Sequence, residues 1–176
     1  MLICKLMLPI AWVLIIGLLL VASAIATLPN YSGTWVRDAA KSGPFTAVVG
    51  TRSSLPDSVT FVLNIEHDGK ILKIEAKQDG QKTKWIKYNL GRAWLSAGWH
   101  GDIPPKLGGT RHRARWNGVN LVIEKNAIYS GDYGDLVTGW RQEWVLSPGG
   151  TVLTIITKTF QRGALHITTK EVFNRK

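Results

Sequence analysis

Residues 59–80 read VTFVLNIEHDGKILKIEAKQDG and contain two runs in which apolar and polar side chains alternate. A period of two is typical of a β-strand with one buried and one solvated face, whereas a helix would repeat every 3.6 residues. Each run is followed by a dipeptide that favours a tight hairpin turn, Asp68-Gly69 and Asp79-Gly80. The stretch therefore predicts an antiparallel meander, which residues 85–90 continue as a third strand.

The same alternation recurs through the C-terminal half of the chain. Residues 111–116 alternate three arginines with His112, Ala114 and Trp116, and the run ends at Asn117-Gly118, which favours a two-residue type I′ turn. Further strands are predicted at 33–37, 119–124, 139–146, 151–160 and 165–173, with 93–97 as an additional candidate and a Ser-Pro-Gly-Gly turn at 147–150. No segment shows helical periodicity, so the sequence predicts an all-β domain.

One face of nearly every predicted strand is apolar, so the sheet must bury that face by closing or folding over. The connections between successive strands are short, which favours neighbours in sequence becoming neighbours in space. Closure also removes the exposed edges of a sheet. We therefore expect an antiparallel up-and-down β-barrel of about eight to ten strands.

The first 26 residues are typical of an export signal. Lys5 is followed by 21 uncharged residues, 6–26, which end in two small-residue sites suitable for cleavage after Ala24 or Ala26. About 20 apolar residues also suffice to span a bilayer, so an uncleaved anchor is the alternative. We expect a cleaved signal peptide over residues 1–26 and a protein that is periplasmic or secreted.

Composition supports a single folded domain over residues 27–176. The chain has 176 residues, 45% of them apolar, and a net charge of +10, which excludes a disordered acidic segment. Lys5 is the only charged residue of the first 26, so their removal leaves 150 residues with a charge of +9 and no cysteine. A chain of that length can bury a sufficient core without disulfides. We expect a monomer.

Several stretches resemble one family. Residues 30–35 read NYSGTW and are followed by AKS at 40–42; ARWNG at 114–118, EWVLS at 143–147 and VFNR at 172–175 continue the likeness. As a set they resemble the small exported lipocalin-like (calycin-type) β-barrel proteins of soil bacteria, which are mostly uncharacterised. The resemblance covers most of residues 30–175.

The resemblance implies a calycin-like barrel and a structural role for two residues. In lipocalins proper, a Gly-x-Trp tryptophan closes the barrel floor and an arginine near the last strand packs over its indole. Trp35 and Arg175 match those positions, so the resemblance implies barrel closure by these two residues. No long C-terminal helix follows Arg175, which leaves the relationship at the level of architecture.

The sequence offers little for catalysis or metal binding. A zinc site needs three or four convergent ligands and a nucleophilic serine needs a defined motif, and neither pattern is present. We therefore expect no enzyme, no catalytic residue, no metal and no cofactor. The closest acidic and imidazole groupings are His67-Asp68, His100 with Asp102, and Asp132 with Asp135.

The barrel interior is the better candidate for a site. A closed barrel of about eight strands has room for its own side chains or for one small ligand. The predicted inward residues combine apolar groups with Thr157 and with four candidate ligand-binding residues, Tyr88, His112, Trp140 and Gln142. A few polar groups in an apolar cup are what a binding site requires. A small apolar or amphiphilic ligand and a completely filled core both fit this pattern.

A second possibility concerns the basic outer surface. Arg111, Arg113 and Arg115 share one strand face, with Lys73 and Lys77 on the wet face of the meander. They form either a solvated exterior or a surface that docks on an anionic envelope polymer. No aromatic residue lies among the arginines on the face that they share, so there is no platform for base stacking and no specific nucleic acid is expected. Predicted strands of six or seven residues are too short to cross a membrane, so we expect no membrane partner for the mature domain unless the N-terminal segment is retained.

Overall fold

The computed structural model describes residues 28–43, 45–46, 53–54, 56, 58–91, 93, 95–97, 108–131 and 134–176. A short 3-10 helix spans Ala39–Lys41. The strands are β1 (Gly33–Arg37), β2 (Phe45–Thr46), β3 (Ser53–Ser54), β4 (Phe61–His67), β5 (Ile71–Gln78), β6 (Gln81–Asn89), β7 (Leu95–Ala97), β8 (Gly108–Asn117), β9 (Asn120–Gly131), β10 (Gly134–Leu146), β11 (Val152–Gln161) and β12 (Ala164–Arg175).

Ten of these strands form one antiparallel sheet, in the order β6-β5-β4-β1-β12-β11-β10-β9-β8-β7. Strand β1 pairs on one side with β4 and on the other with β12, so the first strand joins the last. The order around the sheet is otherwise that of the chain, with β2 and β3 pairing apart from it. The predicted all-β, up-and-down barrel of about eight to ten strands is confirmed.

The remaining seam lies between β6 and β8. Leu90, just beyond β6, bridges Ala114 in parallel, and the Gly91 amide donates to the Ala114 carbonyl oxygen at 2.8 Å. Farther along, β7 pairs with β8 through Leu95 and His112. The additional strand candidate at 93–97 is therefore present as Leu95–Ala97, and it covers the edge of β8.

Alternation along the strands places the core inside the barrel. Phe61, Leu63 and Ile65 on β4 are buried, while the intervening residues are more exposed. The buried apolar core of the described residues consists of Tyr31, Trp35, Phe61, Leu63, Ile65, Leu72, Ile74, Ala76, Tyr88, Ala114, Leu121, Ile123, Trp144, Leu153, Ile155 and Phe173. The inward faces expected from the sequence are the faces that pack together.

Two hairpin turns show how local chemistry sets the register. Asp79 and Gly80 have φ values of +48° and +79°, the left-handed pair that a type I′ turn requires. The turn expected at Asn117-Gly118 lies one residue later, because Asn117 pairs with Asn120 and leaves Gly118 and Val119 as the loop. Only Gly118, at +60°, has a positive φ there, as in a type II′ turn, so the type I′ expectation is wrong.

Several strands extend beyond their predicted limits. Strand β6 begins at Gln81 instead of residue 85, β9 continues to Gly131 and β10 begins at Gly134. Each extension is paired in register with a neighbouring strand, as Gly134 is with Gly131. Hydrogen bonds to the neighbouring strands therefore extend these strands through segments whose sequence does not alternate between apolar and polar residues.

One end of the barrel is closed by aromatic side chains. Trp35 is fully buried, its indole N–H donates to the Tyr31 carbonyl oxygen at 2.9 Å, and Arg175 Cζ lies 4.5 Å from the centre of its ring. Tyr31 donates its hydroxyl proton to the Trp144 carbonyl oxygen at 2.8 Å. Burial raises the pKa of Tyr31 to about 12. The structure thus brings together the two residues that the resemblance assigns to barrel closure.

Residues 1–26, with the expected signal peptide, its cleavage sites at Ala24 and Ala26, and Lys5, lie outside the described residues. Within the described part of the chain, no helix is both long and apolar enough to cross a membrane.

Replacing Trp35 tests the closure. We expect Trp35→Ala to lower the free energy of unfolding by about 3–5 kcal/mol, as for large aromatic truncations in cores. Arg175→Ala should cost about 1–2 kcal/mol, because it loses the stacking and a hydrogen bond to the Asn30 carbonyl oxygen. The double variant should be less destabilised than the sum in urea denaturation, since the two residues touch. Additive losses would show that the stacking contributes nothing.

Gly139 tests the packing between β9 and β10. A Cβ there would overlap the Lys125 carbonyl oxygen and lie 2.7 Å from Asn126 Oδ1. We expect Gly139→Ala to lower the free energy of unfolding by about 1–3 kcal/mol, the usual cost of overpacking. Gly149→Ala is the control, because a Cβ there would meet only Thr151 Oγ1, at 4.0 Å. Equal unfolding midpoints for the two variants would contradict the close approach.

Candidate ligand-binding site

The inner wall formed by β8 to β12 is built of successive cross-strand rows. The register places His112 beside Lys125, Lys125 beside Trp140, Trp140 beside Thr159, and Thr159 beside Ile167. We call this set the upper row. The middle row, nearer the closed end, is Ala114, Ile123, Gln142, Thr157 and Thr169. The lower row is Trp116, Leu121, Trp144, Ile155 and Glu171.

Burial decreases from the lower row to the upper row. Four side chains of the lower row are fully buried and Trp116 is half-buried, whereas every side chain of the upper row is half-buried. The upper row lies toward the end that carries the β9–β10 and β11–β12 hairpins, and Trp35 lies toward the other end. The barrel is therefore filled at its closed end and accessible from the hairpin end, and we call this accessible half the cup.

The middle row forms a polar floor for the cup. Gln142 is buried, and its Oε1 accepts a hydrogen bond from the Trp144 indole N–H at 3.2 Å. Thr157 and Thr169 lie directly opposite each other, and both hydroxyl oxygens are buried without a hydrogen-bond partner among the described residues. A buried hydroxyl without a partner is destabilising, so these two groups are suited to bind a polar group within the cup.

Tyr88, His112 and Lys125 form one side of the cup. The Tyr88 and His112 rings meet edge to face with centroids 5.7 Å apart. Burial, and secondarily the positive charge of Lys125, lowers the pKa of His112, so the imidazole is neutral at pH 7. Burial raises the pKa of Tyr88. Lys125 thus lies beside the neutral His112 ring, and it supplies the positive charge on this side of the cup.

The structure groups the four sequence-predicted ligand-binding residues around the cup. His112 and Trp140 belong to the upper row, Gln142 to the middle row, and Tyr88 contacts His112. Sequence analysis did not identify Lys125 and Thr169. Lys125 continues the inward alternation of Leu121 and Ile123 but lies one residue beyond the predicted end of the strand at 124. Extending that alternation would have found it.

Two buried charged residues were also not anticipated. Arg37, on β1, is 7% exposed, and its Nη2 donates to the Gly43 carbonyl oxygen at 2.6 Å. Glu171, on β12, is completely buried two residues before Phe173. The register places Arg37 opposite Phe173, so both charges lie on the inner face of neighbouring strands.

The closed end contains a cluster of four rings, two of which, Trp116 and Trp144, belong to the lower row. Tyr31 lies 5.9 Å from Trp116, 6.1 Å from Trp144 and 6.2 Å from His67, measured between ring centroids. His67 Nε2 and Trp116 Nε1 are buried without a hydrogen-bond partner in the described part of the chain. Burial lowers the pKa of His67 against the opposing charge of Asp68. The cluster fills this end of the barrel with neutral rings.

On the outer surface, the predicted basic stripe is partly neutralised. Arg113 Nε pairs closely with Glu124 Oε2, and Arg115 and Arg141 approach the same carboxylate at 3.6 and 3.7 Å. Lys73 and Lys77 are paired with Glu66 and Glu75. Carboxylates on the outer face therefore neutralise much of this positive charge, which makes the stripe a weaker anion-binding surface.

A shallow outer depression of about 330 Å³ lies over β1, β4 and β5. It is lined by Thr34, Asn64, Glu66, Lys73, Glu75 and Lys82. Lys73 pairs with Glu66 at 2.9 Å and Lys82 with Glu75 at 2.8 Å, so its charges satisfy one another. These pairs leave the depression without a group aimed at a ligand, and the cup is the better site.

Metal ligands do not converge in the described residues: no group of three His, Cys, Asp or Glu side chains could hold an ion. His67 and Asp68 lie at the end of a strand and in its turn, where Asp68 Oδ1 accepts from the Lys70 and Ile71 amides at 2.8 and 2.6 Å. His100, Asp102 and Asp132 lie outside the described residues.

No protein-family model and no curated protein matches the chain. Solved structures share its fold. A secretory abundant heat soluble protein from Ramazzottius varieornatus matches with a TM-score of 0.51 at 12% identity, over 85% of this chain and 98% of that one. Lipid binding protein 8 of Caenorhabditis elegans matches at 0.50, with 10% identity over 83% and 95% of the two chains. A fatty acid-binding protein from Drosophila melanogaster brain tissue also reaches 0.50, with 12% identity over 82% and 99%.

These similarities show a calycin-type barrel, which confirms the architecture implied by the resemblance. The source in soil bacteria and the export that the resemblance also implies stay predictions.

The two histidines with lowered pKa values predict a loss of stability in mild acid. Unfolding restores each imidazole to its ordinary pKa near 6.5, so the unfolded chain takes up protons first as the pH falls. The stabilisation is complete above pH 6.5 and is lost below it. Carboxylates titrate at lower pH, with the pKa of Glu75 held at about 2 by Lys82, Asn64 and Lys77.

We therefore expect the free energy of unfolding, measured by urea denaturation, to fall between about pH 7 and 5. His67→Gln and His112→Gln should each reduce that slope, whereas His166→Gln, at an exposed position, should leave it unchanged. If His166→Gln removed the pH dependence of the free energy of unfolding and the other two variants did not, the assignment of that dependence to His67 and His112 would be wrong.

Proposed function

We propose that the chain is an exported, non-enzymatic β-barrel that binds one small apolar or amphiphilic molecule in the cup. The observation that carries the proposal is the decrease in burial from the lower row, where all side chains but Trp116 are fully buried, to the half-buried upper row. Between them lie two threonine hydroxyls that have no hydrogen-bond partner among the described residues. A cup whose wall combines the apolar Trp140 and Ile167 with polar side chains, and whose floor carries further polar groups, suits a molecule with one polar end.

The side chains of the cup indicate the ligand class. Trp140 and Ile167 offer apolar surface in the upper row, while Thr157 and Thr169 offer hydroxyl groups in the middle row. Lys125 lies in the adjacent row and provides a positive charge there. We infer that the polar end of the ligand lies at the threonines and that an acidic head group is favoured over a cationic one.

Two further observations support a binding role. Two of the solved neighbours are a lipid binding protein and a fatty acid-binding protein, so barrels of this fold bind such molecules elsewhere. The sequence contains no catalytic motif, which favours a binding protein over an enzyme. Export rests on residues 1–26, and we propose a monomeric protein in the periplasm or outside the cell.

The alternative is a module whose basic exterior docks on an anionic envelope polymer. Arg113, Arg115 and Arg141 share Glu124, so the stripe presents less charge than its sequence indicates. The cup, by contrast, has polar groups for which the described residues supply no partner. This contrast favours ligand binding inside the barrel.

Filling the cup tests the proposal. Thr159→Phe adds a ring to the upper row, where Thr159 lies between Trp140 and Ile167. We expect it to weaken binding of N-phenyl-1-naphthylamine, a neutral fluorescent apolar probe, by at least about tenfold, or about 1.4 kcal/mol. Dodecanoate should displace the probe from the wild-type protein, because it combines an apolar chain with an acidic head.

The matched control is Thr168→Phe, on the exposed outer face of the same sheet. It should bind the probe as the wild-type protein does. Both variants should unfold within a few degrees of the wild-type midpoint. Equal probe binding by the two variants, or no binding by the wild-type protein, would refute ligand binding in the cup.

A further inference from the structure

The β11–β12 hairpin is an exposed tip at the open end of the barrel. All residues from 161 to 166 are exposed, and Leu165 is 56% exposed. Leu165 pairs across the hairpin with Phe160, which is half-buried. Among the described residues, the other exposed large apolar side chains are Leu28 and Val119, and Val119 lies at the opposite end of the barrel. The tip therefore presents an apolar pair to solvent.

The turn of this hairpin contains an unfavourable residue. Arg162 and Gly163 have φ values of +52° and +76°, the left-handed pair of a type I′ turn. Asparagine, aspartate or glycine is preferred at the first position, and Asp79 occupies the equivalent place in the β5–β6 hairpin. Turn stability therefore does not explain an arginine at residue 162, which indicates a role for its charge.

The hairpin also lies in a purely cationic stretch. Residues 144–170 contain no aspartate or glutamate, and they include Lys158, Arg162 and Lys170. All three cations are exposed, and none forms an ion pair within the described part of the chain. Arg113, in contrast, is paired with Glu124. Arg162 lies in the turn and Lys158 lies four residues before it, so two of these unpaired charges are near the hairpin tip.

A groove of about 280 Å³ lies beside the hairpin on the outer face of β10 and β11. It is lined by Arg141, Glu143, Ile156, Lys158 and Phe160. Arg141 and Lys158 are direct cross-strand neighbours, and Ile156 and Phe160 add apolar surface. Arg141 also approaches Glu124 and the groove contains the Glu143 carboxylate, so Lys158 is the groove's cation without an ion pair among the described residues, and it lies beside apolar side chains.

We propose that the β11–β12 hairpin docks the barrel on the surface of an anionic phospholipid bilayer. Arg162 and Lys158 face the lipid phosphates, and Leu165 with Phe160 enters the interface. The exposed apolar pair favours a bilayer over a soluble polyanion, which offers nothing apolar to bury. Such docking differs from the sequence expectation that the mature domain has no membrane partner.

Docking at this hairpin has a consequence that rests on the proposed function. The hairpin borders the open end of the cup, because β11 and β12 also carry Thr159 and Ile167 of the upper row. A barrel held by its hairpin thus brings the cup next to the lipid surface. An amphiphilic ligand could then pass between bilayer and cup over a short path.

The experiment is co-sedimentation of the purified exported protein with vesicles of phosphatidylcholine alone or of equimolar phosphatidylcholine and phosphatidylglycerol. We expect binding to the anionic vesicles at low salt and its loss at about 0.5 M salt, where charges are screened within a few ångströms. Every variant carries the same N-terminus, so any apolar segment there affects all of them equally and also appears with neutral vesicles.

Arg162→Asn is the most informative variant. It should weaken anionic-vesicle binding about fivefold, the contribution of one cation near the surface. It should also keep or raise the thermal midpoint, because asparagine suits the turn. Lys87→Gln removes the same charge from an exposed position on β6 and should leave binding within about twofold, since residues away from the surface contribute little.

Leu165→Ser tests the apolar contact, with Val119→Ser as its control at the opposite end of the barrel. Leu165→Ser should weaken binding several-fold and Val119→Ser should not. Three results would overturn the docking proposal: no preference for anionic vesicles, equal effects of the hairpin variants and their controls, or wild-type binding by Leu165→Ser together with full competition by dextran sulfate. The last result would show that the hairpin binds soluble polyanions through its charges and does not insert into a bilayer.

The same proteins are titrated with N-phenyl-1-naphthylamine, which separates this proposal from the proposed function. Arg162→Asn and Leu165→Ser should bind the probe as the wild-type protein does, because neither residue belongs to the three rows. Hairpin-dependent vesicle binding without probe binding would leave docking intact and refute the cup. Probe binding without hairpin-dependent vesicle binding would refute docking alone.

Discussion

The pairing of the first strand with the last is the constraint on which the rest of the barrel depends. Strand β1 lies between β4 and β12, with Trp35 opposite both Leu63 and Arg175. The Lys176 amide donates to the Thr34 carbonyl oxygen at 2.9 Å, which holds the chain end in the same ladder. Without this strand, β4 and β12 would both present open edges, and the inner face would lose its closing tryptophan. Closure thus satisfies backbone hydrogen bonds and completes the core in one step.

Closure also fixes the relative positions of side chains that are far apart in sequence. Gln142, Thr157 and Thr169 come from three strands, and only the register of β10, β11 and β12 places them side by side. A shift of one residue in any of these strands would turn its inward side chains outward. The polar floor of the cup is therefore a property of the whole barrel, and its precision derives from the fully buried Trp144 and Ile155 in the adjacent lower row.

Strand direction and face could be predicted from the sequence, because alternation in Leu63, Ile65 and their neighbours reflects burial on one side. The four candidate residues Tyr88, His112, Trp140 and Gln142 follow from the same alternation. The turn at Gly118-Val119 could not, since Asn117 satisfies the local preference for a turn but is paired with Asn120 by the ladder. Lys125 and Thr169 could not be assigned to one cup either, because their proximity depends on pairing between distant strands. Local patterns specify faces, whereas neighbours across strands are set by closure.

The two ends of the barrel have different roles, because residues at the closed end stabilise the fold and residues at the open end face the proposed ligand. Toward the closed end, Trp35, Tyr31 and Trp144 are fully buried and joined by hydrogen bonds, so large aromatic surface stabilises the fold there. Toward the open end, half-buried side chains and unpartnered hydroxyls contribute little or are destabilising. A barrel can carry such groups only if the core elsewhere compensates for them. The compensating rings lie in the lower row and toward the closed end. Residues of the upper row can therefore be substituted to suit a different ligand while the fold is retained. The chemistry of the cup can thus differ between barrels that share this architecture.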